Sequence, residues 1–267
     1  MFWLSICLGL LFPLLAGAAA DESPGGWVMA AELAAPEAHQ AAAADQRFFY
    51  AINNTTVAKY DRQTGRRVSV SEGEARHLNS GWIRDGQLYC AHSNYPQTPE
   101  RSELRVVDLK TMRLSVFKDF GESAHGSLTW AVHHDGFWWC NFARYGDQNH
   151  RTVLVQYDDD WRQLAVWRYP PEVLAELGSY SVSGGIWRSG QLLTTGHDDR
   201  VLYRLRLPDQ SATPDGQGDQ QPQALEYIDT VPAPFTGQGI AEDSATGGLV
   251  GIDRARRRIV VAKPAAD

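Results

Sequence analysis

One plan returns five times along this chain. A stretch of polar and small residues leads into an apolar strand and a turn. A second apolar strand then ends in Asn, His or Asp, and a third strand follows. The copies span roughly 35–68, 75–117, 123–167, 180–231 and 235–263. Turns between the first two strands carry Asp85-Gly86, Asp135-Gly136, Ser189-Gly190 and Gly247-Gly248, dipeptides that join antiparallel strands in tight hairpins. All copies but the last have a fourth strand. Short antiparallel strands in fours, repeated at a period in the forties, predict an all-β fold, a five-bladed β-propeller.

The fifth copy stops after its third strand, "RRIVVAK". Residues 26–33, "GWVMAAEL", supply the missing strand from the other end of the chain. Pairing the N-terminal strand with the last blade would close the ring and remove its open edges. "HQAAAADQ" is then the first inner strand, where small side chains suit a crowded axis. Asp61, Asp108 and Asp158 recur after the third strands as turn-starting residues that bond backbone amides two residues on. Residues 170–178 read as a short helix, with prolines at the start and Gly at the end. Residues 211–224 are Gln-, Gly- and Pro-rich and are expected to be a disordered loop.

Residues 1–20 are apolar and end in Ala-Ala-Ala, the pattern of a cleaved signal peptide. They predict an exported protein, periplasmic or secreted, with one domain over 21–267. Once that segment is removed, nothing in the chain is apolar enough to hold a membrane. A net charge of −7 argues against a nucleic-acid partner, because phosphates demand a basic surface. A monomer is expected. Cys90 and Cys140 each follow an aromatic strand in neighbouring copies and read as two buried thiols, not a disulfide.

Inner strands start, and second strands end, on one face of such a ring. The starts carry His39 and Gln40, His77 and Asn79, His125, Ser181 and Ser183, and Thr236 and Gln238. The ends carry Asn53 and Asn54, His92 and Asn94, Asn141 and Tyr145, His197 and Asp198, and Asp253 and Arg254. All are expected around the mouth of one central channel, where rigidly held loops usually carry function. The chemistry open to them is binding of a small molecule or peptide, acid–base work by a histidine, or plain hydrogen bonding with water. If a metal binds, the expected ligands are His39, His77, His125 and His197, and imidazoles suit zinc better than calcium. No local metal motif, nucleophile elbow, phosphate-binding loop or dinucleotide fingerprint occurs, and no cofactor is indicated. Trp82, Trp130, Trp138, Trp139 and Trp187 are the stock for an exposed patch on an interaction scaffold, but their repeated strand positions point to packing between blades.

Three strings resemble the five-bladed glutaminyl-peptide cyclotransferases of plants and bacteria. "LYCAHSNYPQTPERSELRVVDLKTMRL" resembles that family's tyrosine strand and its Val-Asp-Leu-Lys-Thr segment. "GSLTWAV" resembles its Leu-Thr-Trp motif, which implies a pocket role for Trp130. "PFTGQGIAED" resembles its Phe-Thr-Gln-Gly motif, which maps Phe235 and Gln238. The resemblance implies an exported propeller that cyclises N-terminal glutamine, with lactonase-like hydrolysis as a further possibility. The family's acidic residue after the tyrosine strand is missing here, where the chain reads Tyr89-Cys90-Ala91-His92.

Overall fold

The computed structural model describes residues 25–208 and 223–266. The proposed signal peptide and most of the 211–224 loop lie outside the described residues. Strands dominate, and they fall into meanders of four. The first is β2 (Ala41–Ala44), β3 (Phe48–Ile52), β4 (Val57–Asp61) and β5 (Arg67–Val70). The second is β6 (Leu78–Arg84), β7 (Gln87–Ser93), β8 (Arg101–Asp108) and β9 (Leu114–Glu122). The third is β10 (Ser127–His134), β11 (Phe137–Ala143), β12 (Val153–Tyr157) and β13 (Gln163–Arg168), with the two-residue β17 (Gln223–Ala224) added in parallel. The fourth is β14 (Gly184–Arg188), β15 (Gln191–Thr195), β16 (Val201–Arg206) and β18 (Glu226–Pro232). The fifth is β19 (Ala241–Asp243), β20 (Gly248–Asp253) and β21 (Arg258–Pro264), completed on its outer edge by β1 (Trp27–Ala34); β19 pairs in parallel with β2, so the first and fifth groups form one eight-stranded sheet.

Turn chemistry sets the first hairpins. Asp85-Gly86, Asp135-Gly136 and Ser189-Gly190 all have positive φ at both residues, the backbone that matches the twist of the flanking strands. The expected Gly247-Gly248 turn is different. Only Gly247 has positive φ there. The Asp243 carboxylate accepts from the Ala245 amide and the Thr246 hydroxyl, and the Asp243 carbonyl accepts from the Gly247 amide, which makes a longer loop. Asp61, Asp108 and Asp158 do accept backbone amides of the following turn. The helix α1 spans Pro171–Leu177 and ends at Gly178 with φ +59°. A short 3-10 turn at Gly146–Arg151 was not legible.

Small residues let the inner strands crowd together. β2 is four alanines, all buried. A Cβ on Gly239 would lie 2.6 Å from both the Ala41 Cβ and the Ser80 Cα, and one on Gly185 would lie 2.5 Å from the Trp130 indole. Hydrogen bonds link each meander to the next. The Leu78 amide donates to the Asn54 carbonyl (2.8 Å). The Ser80 hydroxyl donates to the Thr129 carbonyl (2.9 Å), and the Thr129 hydroxyl to the Val182 carbonyl (2.9 Å). The Thr195 hydroxyl donates to the Gln238 carbonyl, and the Gly239 amide donates to the Gln40 carbonyl (2.9 Å), joining the fifth meander to the first. Arg62 adds a bidentate pair with buried Asp243 at 2.7 and 2.8 Å.

The core lies between neighbouring sheets. Trp130, Trp138, Trp139 and Trp187 are all buried in it, and Trp82 packs half-buried against it. Cys90 and Cys140 are free, buried thiols. Among the described residues no helix is long and apolar enough to cross a membrane.

Candidate functional site

Arg254, at the end of β20, is the centre of the site. One Nη donates to the Nε2 of His197 at 2.9 Å, and the other donates to the Nε2 of His39 at 3.2 Å. A guanidinium is only a donor, so both Nε2 atoms are acceptors and both imidazoles carry their proton on Nδ1. The His197 Nδ1–H then donates to the Asp198 carboxylate at 2.6 Å. The Tyr180 ring stacks on His197 with centroids 4.0 Å apart and planes 9° from parallel. The segment holding Tyr180 is tied to the third meander, because the Gly146 amide donates to the Ser179 carbonyl at 2.8 Å. Tyr145 beside it meets Tyr95 at 5.0 Å, and Tyr95 meets His77 at 5.5 Å. After burial, the charge of Arg254 is what acts on His77, which brings His77 into the same circuit. Each of the five meanders contributes to it: His39, then His77 and Tyr95, then Tyr145, then Tyr180 and His197, then Arg254.

Charge in this circuit is concentrated on the guanidinium. Burial pushes His39 down to about 4, and Arg254 and Arg257 push the same way. Burial and then Arg254 also lower His77. These imidazoles are neutral at neutral pH. Burial, with Tyr95 and Glu100 adding to it, raises the Tyr145 phenol. Beside Arg254 a recess of about 490 Å³ is lined by His39, Asp198, Thr236, Arg254 and Arg257. The Thr236 hydroxyl accepts the Arg254 amide at 2.7 Å and so fixes the floor of that recess.

Other expected mouth residues lie elsewhere. His125 bonds the Gln163 side chain on the outer strand β13 at 3.0 Å and packs on Phe142. Asn79 and Asn141 are buried and bond carbonyls of the neighbouring sheet. Trp130 is fully buried against Gly185, so it does not face the mouth. Phe235 is likewise buried, packed where a Gly251 side chain would be. Gln40 donates to Asn54, Asn94 closes the 94–101 loop through Pro99 and Arg101, and Ser183 bonds the Ser181 carbonyl. Asp253 is buried and paired with Arg200 at 2.8 Å. Gln238 lies behind the circuit, donating to the His197 carbonyl at 3.1 Å. His92 occupies a separate groove of about 590 Å³ with Arg76, Arg101, Glu103 and Arg105. There its Nε2 accepts the Arg76 amide, and burial followed by Arg105 pushes it down to about 4.

This arrangement overturns the four-histidine metal set. A guanidinium sits between His39 and His197 where a cation would have to sit, and His125 is turned to Gln163 on the outer strand β13. Among the described residues no group of three or more His, Cys, Asp or Glu is spaced to hold a metal ion. Reading strand ends alone missed Tyr95, Tyr180 and Arg257. The first two lie one residue or more beyond a strand, and their role shows only once their rings meet His77 and His197.

No protein-family profile matches the sequence, and no curated protein matches it in sequence. Solved structures do match in fold. Glutaminyl cyclase of Myxococcus xanthus superposes with a TM-score of 0.59 at 10% identity, over 90% of this chain and 97% of that one. A luciferin-regenerating enzyme gives 0.48 at 13% identity, over 88% and 94%. A chain of the mitotic checkpoint complex gives 0.45 at 11% identity, over 98% and 100%. At these identities the glutaminyl cyclase likeness is one of fold, and the chain has a propeller-like all-β fold.

Proposed function

We propose that this is an exported, closed five-bladed β-propeller that binds a small molecule or peptide at the mouth ringed by His39, His77, Tyr95, Tyr145, Tyr180, His197 and Arg254. The observation that carries this reading is the circuit itself. Rings and a guanidinium from all five meanders meet on one face, and two of the tyrosines remain 42% and 48% exposed. A purely structural axis has no need to leave such rings open to solvent. The closed count of five is supported by the inter-sheet hydrogen bonds that run from each meander to the next and from the fifth to the first. The molecule acts as a monomer, without nucleic acid or membrane, after cleavage near Asp21. N-terminal sequencing of exported protein checks that cleavage; an uncleaved membrane-held chain overturns it.

The test of the site is a thermal-shift screen of small metabolites and short peptides. Hits should disappear in a His77→Ala, Tyr180→Ala double variant that keeps the wild-type melting temperature within a few degrees. They should survive His125→Ala. Hits indifferent to the double variant would sink the reading.

A second reading, a glutaminyl-cyclase-like enzyme, draws on the shared fold. Its difficulty is that the histidine and carboxylate beside Arg254 are both engaged. The His197 lone pair is taken by Arg254, and Asp198 is taken by His197. Incubation with a glutaminyl peptide decides it: the binding reading expects no ammonia release, and turnover lost in His197→Ala would replace it with the enzyme.

A further inference from the structure

We propose that the ligand of this mouth presents a carboxylate to Arg254 and lays a flat or apolar portion against Tyr180, whose ring stacks on the His197 that Arg254 bonds. The inference rests on the mouth being a ligand site.

Its first support is the way Arg254 is held. Other half-buried or buried arginines here are neutralised by carboxylates: Arg62 by Asp243, Arg144 by Glu100, Arg204 by Asp229. Arg254 is half-buried too, yet the groups that orient it are two imidazole nitrogens. Among the described residues no carboxylate lies within 4.0 Å of it. Neutral acceptors fix a guanidinium without cancelling its charge, so the field of the cation stays available in a site of lowered dielectric. Two of its five N–H groups are used, and three remain.

The surroundings agree. Burial first, then Arg254, keeps His39 neutral, so its acceptor nitrogen survives at neutral pH, and the same two causes lower His77. Asp198 is the one carboxylate on the recess wall, and it bonds the Nδ1 edge of His197, the edge away from Arg254. Arg257 stands exposed on the same wall and adds positive potential. A recess of about 490 Å³ holds a small organic acid or the end of a peptide, not a large folded partner. Tyr180 does not line that recess but stacks on the His197 that Arg254 bonds, and its open side is of the kind that binds rings and peptide planes.

Isothermal titration with phenylacetate and its uncharged counterpart phenylacetamide tests the charge without any variant. Phenylacetate should bind at least tenfold more tightly. Arg254→Gln should weaken phenylacetate about tenfold to a hundredfold, the range for losing a hydrogen bond to a charged group, and leave phenylacetamide nearly unchanged. A tripeptide ending in Phe, as free acid and as amide, distinguishes a peptide terminus from a small acid as the source: tight binding of the free-acid peptide assigns a peptide, and phenylacetate binding alone assigns a small acid. Inorganic phosphate should compete weakly. Equal affinity for phenylacetate and phenylacetamide overturns the carboxylate while leaving the ligand site standing. Binding of neither, or binding that survives unchanged in the His77→Ala, Tyr180→Ala variant, removes both readings.

Discussion

A neutral histidine inside a fold is a liability in acid, and this chain holds two with strongly lowered values. His39 and His92 titrate near 4 in the folded state, chiefly because burial disfavours the charged ring, against 6.5 when unfolded. Below 6.5 the unfolded chain takes up protons that the folded chain refuses. Their contribution is therefore complete above pH 6.5, is lost as pH falls from 6.5 toward 4, and is lost no further below that. Depressed carboxylates such as Asp229, lowered mainly by its hydrogen bond from Arg204, give way only as pH falls below about 3.8. The melting temperature should decline between pH 6.5 and 4, and His92→Gln should flatten that decline. A flat profile across the window would contradict the buried neutral state. Sterics give a second prediction at this scale. Gly185→Ala places a methyl 2.5 Å from a fully buried indole, and overpacking of this kind costs about 1–3 kcal/mol in a denaturant melt. Which residues the sequence could place is also decided here. A strand-end position fixes the face on which His39, His197 and Arg254 emerge. It does not fix direction: the strands of Asn79 and Trp130 carry register shifts at Leu78/Gly81 and Leu128/Trp130, and both side chains lie buried.

Elements are where the reading from sequence was most secure, because turn residues and period-two patterns are local. The β1 strand is the exception, an assignment made from topology. It pairs with β21 over Trp27–Ala34, and Glu32 reaches Arg256 at 2.9 Å and Arg258 at 3.2 Å. These exposed ion pairs contribute little, so Glu32→Ala should cost less than about 1 kcal/mol. Deleting residues 25–34 is another matter. It bares the whole edge of β21 and removes Trp27 from the core, and unpaired edges recruit other chains. The truncated protein should aggregate on size-exclusion chromatography and lose cooperative melting. A soluble monomer with an unchanged midpoint would show that β1 does not hold the fifth sheet. The 243–248 loop was not legible, since its path follows from the side-chain bonds of Asp243 and not from the Gly247-Gly248 pair.

At the scale of the molecule, the site exists only because five meanders present their ends to one face. No single repeat holds more than two members of the circuit. Local unfolding of any one meander would break it, so ligand binding and global stability should be lost together in denaturant. The sequence carried the repeated strand plan and the propeller-like all-β class; the ring contacts of Tyr95 and Tyr180 depend on how loops from different repeats meet, which no local pattern encodes. The most direct measurement is a crystallographic soak with a set of small aromatic acids. The account predicts density in the recess beside Arg254, with the carboxylate on the guanidinium and the ring toward Tyr180. Density confined to the groove of Arg76, Arg101 and Arg105, with the mouth filled by its own side chains, would contradict it.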